Sequence, residues 1–305
     1  MVDEKDETLI ISPVEKINFI TSKQDNFKKL NIKGILFDLN FKSLWQKKYN
    51  SEMNSQIEID FKEPNISIKN QLNYKDRPSL DGSILITFFN QNIEIDYIYE
   101  NNKITLTSPN KANDIKINSS IELRPFYLNS NITLNQQNLN FMIDELIFSL
   151  FNLKPNLLGN LNGDIELLLT NVEHELIRNG KISFSISQNT INFDEVLLNI
   201  GDIGQMYSEI RYNEKDGDII FSSSNSLLIK NKKAFAKKFQ VKPDKVKDIN
   251  MIYFKIDKNI NTGLISIFDI KTNQEELKEK NNAKLRYNIN NTQKLKSLVK
   301  KIINN

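Results

Sequence analysis

The sequence predicts a mainly β protein, an extended antiparallel sheet with a few short helices, and three observations lead there. First, apolar and polar residues alternate in segment after segment. Ile57, Ile59 and Phe61 alternate with Glu58, Asp60 and Lys62, and Ile182, Phe184 and Ile186 alternate with Ser183, Ser185 and Ser187. That period of two marks strands with one wet face. Second, the breaks between these segments are short and rich in Asn, Ser, Gly and Pro, residues that reverse a chain, so successive strands pair antiparallel. Third, a helical period emerges at only a few places.

The strands follow in order. Ile57 to Phe61 and Ile66 to Tyr74 form a pair around Pro64. Ile84, Ile86 and Phe88 lead to Ile93, Ile95, Tyr97 and Tyr99, and Ile104 with Leu106 continues the meander. Ile115 with Ile117, Ile121 with Leu123, and Ile132 with Leu134 follow as further short strands between Asn-, Ser- and Pro-containing breaks. The period then changes. Leu139, Ile143, Leu146 and Leu150, spaced by four, three and four, share one helical stripe. This helix ends before Pro155, and the turn-rich Leu158 to Asp164 forms a joint.

A second β run opens with Ile165, Leu167 and Leu169 and reaches Ile182, Phe184 and Ile186 through Asn179-Gly180, a pair that favours a two-residue hairpin turn. Ile191 and Phe193, Val196 to Ile200, and Ile210 with Tyr212 come next, and Asp216-Gly217 turns the chain into Ile219 to Phe221. Phe235 and Phe239, four apart among lysines, predict a short basic helix before Pro243. Ile252, Phe254 and Ile256 return to alternation, and Leu295, Leu298, Val299 and Ile302 predict a closing amphipathic helix. The expected organisation is a β-rich region over 1–138, a β region with short helices over 139–271, and a closing strand and basic helix over 272–305.

Composition narrows the function classes. The 305 residues carry 41 Lys and Arg against 38 Asp and Glu, a net charge of +3 with both signs interspersed, which selects no nucleic-acid partner. Without Cys there are no disulfides, thiolate metal sites or cysteine nucleophiles. His174 is the only histidine, so no histidine pair can hold a metal and no nucleophile elbow accompanies it. It is expected to be an exposed, inert side chain. Asp216, Gly217 and Asp218 lack the further ligands of a calcium loop and read as a hairpin turn. Gly159, Gly163, Gly201 and Gly204 lack the Lys-Ser/Thr of a phosphate loop. Phe88, Phe89, Tyr97 and Tyr99 stand among Glu94 and Asp96, which would repel phosphate, so core packing explains them better than base stacking. Asn, Ile and Lys are abundant throughout, the drift of an AT-rich genome, so Asn-x-Ser/Thr triplets such as Asn65-Ile66-Ser67 carry little weight. Lys230 to Lys247 and Gln293 to Lys301 are basic stretches, read first as solvated faces and second as surfaces for an anionic bilayer. No catalytic residue, metal site or cofactor is expected.

The acidic start, Met1 to Ile10, has no basic and apolar leader, and no segment offers the ~18 uncharged residues of a spanning helix. As written, the chain is either cytosolic or preceded by a further segment.

Burial then becomes the central question. Each apolar strand residue gains roughly 1.5 to 3 kcal/mol on leaving water, so a dozen strands cannot leave their apolar faces wet. Two sheets could pack as a sandwich, one could close as a barrel, or one could curl around a ligand. The predicted helices are too few to do the covering alone.

Certain residues resemble a known family. From Leu153 to Gly204 and from Lys233 to Lys271 the chain presents GNLNGDIEL, NGKISFSI, INFDEVLLNIGDIG, a short helix ending KKFQV, and two closing strands. That order of elements resembles the C-terminal region of AsmA-like proteins, relatives of TamB and YhdP, over Leu139 to Lys271. The resemblance implies a long, curled, taco-like β-sheet with a hydrophobic groove, anchored to the inner membrane of Gram-negative bacteria and reaching through the periplasm. It implies a non-enzymatic role, shielding phospholipid acyl chains between the inner and outer membranes. Ile84, Ile86, Phe88, Ile182, Phe184 and Ile186 are then candidates to line the groove. The family's anchor helix has no counterpart in this sequence, and no catalytic residue is carried over. The alternative expectation is a closed β-sandwich, a structural or interaction module without lipid.

Overall fold

A computed structural model describes residues 5–11, 14–24, 27–36, 39–48, 54–61, 66–73, 80–88, 91–109, 114–136, 162–187, 190–215, 217–259, 262, 265–273, 275–276, 285–287, 296–297, 299–300 and 303. The chain divides into two compact units, residues 1–132 and 133–305. The predicted helix over Leu139 to Leu150 and the joint that follows it lie outside the described residues. Among those described, the protein is mainly β, its strand ladders are not closed into a barrel, and helices are few.

The first unit is a meander of β1 (Lys5–Ile11), β2 (Val14–Gln24), β3 (Phe27–Leu36), β4 (Leu39–Lys48), β5 (Asn54–Phe61), β6 (Ile66–Asn73), β7 (Leu80–Phe88), β8 (Gln91–Glu100), β9 (Lys103–Thr107) and β10 (Ile115–Leu123). Each strand pairs antiparallel with the next. Four strands therefore precede the first predicted one. The expectation of two short strands at Ile115–Ile117 and Ile121–Leu123 is also corrected. Residues 115–123 form one strand, because Ser119 takes an inward position, 5% exposed, with its Oγ 2.6 Å from that of Ser130. A hydroxyl pair of this kind lets small polar residues sit within an apolar row without an unmet hydrogen bond.

The chain crosses into the second unit within β11 (Phe126–Asn135). There follow β12 (Gly163–Thr170), β13 (Asn179–Ser187), β14 (Thr190–Ile200), β15 (Gly204–Lys215), β16 (Asp218–Ile229), helices α1 (Lys232–Phe239) and α2 (Pro243–Val246), then β17 (Met251–Asn259) and β18 (Ile265–Thr272). From β12 to β18 consecutive strands pair antiparallel. Short β19 (Glu275–Glu276) and β20 (Leu285–Tyr287) both pair with β18. Residues 296–297, 299–300 and 303 are helical, where the closing helix was expected.

Turn chemistry follows expectation at one place and departs from it at another. Lys215 pairs with Asp218 around a two-residue turn whose Gly217 has φ +80°, a value glycine adopts without strain. Asn179-Gly180, by contrast, is not a turn. Both residues lie in β13, and the chain reverses through a longer loop pinned by Val172 N–H donating to the Arg178 carbonyl and Asn171 N–H donating to Asn179 Oδ1. Gly180 sits in a crowded place instead: a Cβ there would come within 2.7 Å of Leu198 Cδ2 and 3.0 Å of the Leu197 carbonyl oxygen, so a larger residue needs the Leu198 side chain to shift.

Candidate functional site

Register decides which side chains share a face, because side chains alternate along each strand and line up across the ladder. In the first unit, Ile32 pairs with Ser43, Ser43 with Ile59, Ile59 with Ile68, Ile68 with Ile86, and Ile86 with Ile93. A second row runs Asn70, Ile84, Ile95, and a third runs Tyr97, Leu106, Ser119. One face from β3 to β10 is thus apolar. The other face carries Lys33, Lys42, Asp60, Lys69, Glu94 and Asp96, all exposed. Among the described residues of this unit no helix lies over the apolar face, yet Ile95 is 3% and Tyr97 6% exposed. Ile59, Ile84, Ile104 and Leu106 pack against Tyr97.

In the second unit one face carries Ile165, Leu167 and Leu169, then Ile182, Phe184 and Ile186, then Phe193, Val196 and Leu198, and continues through Met206, Ile210, Tyr212, Phe221, Leu227, Ile252, Ile256 and Ile267. Asp194 is an extra residue where β14 bulges: Ser183 pairs with Glu195 but Phe184 pairs with Phe193. The bulge returns Phe193 and Val196, three apart, to the same face.

This face changes character along its length. At the end where Leu169, Leu198, Ile200, Leu227, Ile229 and Ile252 are buried, the neighbouring loops and helices contribute Val172, Ile203, Phe235, Phe239 and Val246, each under 5% exposed. That end is closed. In the middle, Ser208 Oγ donates to Asn225 Oδ1 and Asn225 Nδ2 donates to Ser223 Oγ, so the polar residues of β15 and β16 satisfy one another. At the far end an aromatic row crosses four strands: Phe184 to Phe193 at 5.5 Å between ring centroids, Phe193 to Tyr212 at 6.3 Å, and Tyr212 to Phe221 at 5.6 Å. All four rings are half-buried. Burial pushes the Tyr212 hydroxyl pKa up and pulls that of Lys258, the cross-strand partner of Phe221, down.

The six predicted groove residues fall on these faces. Ile84 and Ile86 are half-buried on β7; Phe88 belongs to the same strand, and its side chain lies outside the described ones. Ile182 and Phe184 are half-buried on β13, and Ile186 is 6% exposed. The first three stand in one unit and the last three in the other. Phe193, Tyr212 and Phe221 complete the aromatic row and were not singled out, because only the register joins them to Phe184.

His174 corrects its expectation. It is half-buried, and its Nδ1 accepts hydrogen bonds from Leu176 N–H at 3.2 Å and Ile177 N–H at 3.0 Å, holding the loop between β12 and β13. Asp218 has a structural partner as well, its Oδ2 accepting from Asn259 Nδ2 at 2.7 Å. A shallow cavity of about 620 Å³ opens on the opposite, polar face beside Tyr207, Ser226 and Tyr253. Asp194, Glu195, Glu209, Asp269, Lys255 and Lys271 also border it without forming a nucleophile–base pair. Among the described residues no group of three or more His, Asp or Glu is placed to hold a metal, and no helix is long and apolar enough to cross a membrane.

At the closed end Glu175 accepts from Lys296 Nζ of the C-terminal helical stretch and lies 3.9 Å from Lys238 Nζ of α1. The Lys296 hydrogen bond, helped by both lysine charges, holds the Glu175 carboxyl below the usual carboxylate range. A carboxyl depressed in the folded state stabilises above its unfolded pKa and stops doing so as pH falls through the folded value. Glu175→Gln should therefore lower the urea midpoint slightly at pH 7. The difference from wild type should shrink to nothing in strong acid, as parallel urea titrations across pH will show.

No protein-family description matches this chain, and no curated protein matches it.

Proposed function

We propose that this protein is a non-enzymatic lipid-handling protein whose apolar β-faces hold phospholipid acyl chains, acting between the inner and outer membranes of a Gram-negative cell from a periplasmic position. One observation carries the reading: a described apolar face eight strands wide in the first unit, with no helix laid over it among the described residues. The packing of Ile59 on Tyr97 supports a curled, taco-like sheet there. In a flat sheet β5 and β8 stand three spacings apart, about 14 Å, and the register sets these residues a further four positions apart along the strands. Side chains in contact lie within about 4.5 Å, so such a contact calls for strands bent toward their apolar side. The half-buried aromatic row of the second unit offers the same chemistry to an acyl chain, closed at one end and less covered at the other.

The closed β-sandwich is the second reading, favoured by the depth at which Ile95 and Tyr97 are buried. The two differ in what the purified protein contains. Under the lipid reading, native mass spectrometry detects bound phospholipid. Phe184→Asp loses most of that load, because an uncompensated carboxylate on an apolar surface costs several kcal/mol. Ser185→Asp, on the polar side of the same strand, should keep it. Lipid-free, folded wild-type protein extracted from membranes would leave the sandwich standing instead.

A further inference from the structure

The closed end of the second unit presents a lysine-rich surface. Residues 230–248 contain eight lysines against Asp244 and Asp248, a local charge of +6 in a chain whose total is +3, so everything else sums to −3. Within this segment Lys238 lies beside Glu175 and the Lys232 ammonium donates to the Lys247 carbonyl, while on the sheets Lys69 pairs with Glu58, Lys181 with Glu166 and Glu195, and Lys255 with Asp269.

The way α1 is held turns these lysines into a fixed platform. Asn231 Oδ1 accepts from Ala234 N–H at its start, and Gln240, in the left-handed conformation, donates its N–H to the Ala236 carbonyl at its end. Phe235, 0% exposed, and Phe239, 4% exposed, meet at a tilt of 38° with ring centroids 4.7 Å apart within the core. Lys233 and Lys237 lie two positions before them, about 200° around the helix, and both are exposed. They are four apart and so neighbours on one helical face. Lys242, Lys245 and Lys247 extend the exposed charge through α2. The segment's aromatic groups are spent on the core, leaving charge for the solvent.

We propose that this surface docks the closed end onto the anionic headgroup layer of a phospholipid bilayer, by charge and without insertion of an apolar helix. The choice of partner rests on the lipid-handling reading, and charge complementarity selects the kind of bilayer. A single-stranded nucleic acid would ask for exposed aromatics beside the lysines, and Phe235 and Phe239 are buried. With no apolar side chain of α1 free to enter the membrane, attachment should be reversible and sensitive to salt, since screening at 1 M ionic strength shortens electrostatic reach to about 3 Å.

The test is flotation of the full chain with vesicles of phosphatidylcholine alone, and of phosphatidylcholine mixed with phosphatidylglycerol. The expected result is binding to the mixed vesicles only, released by high salt. The triple variant K233E/K237E/K245E should bind the mixed vesicles roughly 100-fold more weakly, each lysine near an anionic surface contributing about fivefold or more. Its urea midpoint and its phospholipid load should match wild type. Equal binding to neutral vesicles, indifference to salt, or an unaffected triple variant would each overturn the proposal, as would tighter binding to single-stranded RNA than to the anionic vesicles. If wild type binds anionic vesicles in this way but carries no phospholipid, the docking surface stands and the carrier reading fails. If it carries phospholipid but ignores the vesicles, the reverse holds.

Discussion

Phe235→Ala is expected to remove roughly 3 to 5 kcal/mol of stability from the second unit, the range found when a large aromatic is cut from a core that cannot collapse around the gap. Phe235 is 0% exposed and its ring lies 4.7 Å from that of Phe239. It reaches the core from a helix of only eight residues, too short to persist without its packing, since isolated helices below about 12 to 15 residues are marginal in water. Loss of the ring should therefore release α1 as well as leave a cavity. Urea unfolding will read this as a lower midpoint. Hydrogen exchange should place the loss in residues 162–272 and leave the first unit's amide protection unchanged. Lys237→Ala, on the exposed side of the same helix, is the control and should stay within about 0.5 kcal/mol. A Phe235→Ala effect as small as that control would mean that α1 does not close this end of the sheet.

Legibility in the sequence followed the physical continuity of each pattern. β5 and β13 are legible because nothing interrupts their alternation, and β7 and β8 because only Leu85 and Ile98 break it: Ile93, Ile95, Tyr97 and Tyr99 all share one face. β16 was harder, since Ser223 and Asn225 occupy apolar-face positions and take their stability from the Ser208–Asn225–Ser223 hydrogen bonds, which the run FSSSNS does not announce. In β14 the bulge at Asp194 shifts the parity between Phe193 and Val196, so one strand looked like two segments. Asn179-Gly180 misled for a different reason. Local turn preference favours a reversal there, while Gly180 pairs with Leu169 on one side and Leu198 on the other and so sits inside a strand. His174 lay beyond reach, because its two N–H donors come from a loop conformation that residue types alone do not specify. As for the candidate site, Phe184 could be named from alternation on one strand. The row that joins it to Phe193, Tyr212 and Phe221 exists only across strands as far as 37 residues apart in sequence, and needs the register.

Trp45 should report directly on whether the first unit's apolar face is open. It is the chain's single tryptophan, so its emission is unambiguous. It pairs across the ladder with Leu30 and shares the face of Phe41, Ser43 and Ile59. Its Nε1 donates to Ser43 Oγ at 2.8 Å, so the indole's one donor is satisfied within the face, and the residue is nonetheless 41% exposed. An indole with its polar handle already bonded and its ring part-wet gains free energy when apolar matter covers it. If acyl chains fill this face, phospholipid brominated along its acyl chains should quench most of the Trp45 emission, and unbrominated lipid should shift that emission to the blue. Bromine on the headgroup should do neither, because the heavy atom must reach the ring. Trp45→Phe keeps the apolar area and removes the reporter, so its lipid load should equal that of wild type. A sheet sealed against itself predicts the opposite of all this: emission unmoved by any lipid at any bromine position, even though the ring keeps its exposure. The two outcomes divide on one physical question, whether the face on which Tyr97 and Ile95 are buried leaves room beside Trp45 for a hydrocarbon chain.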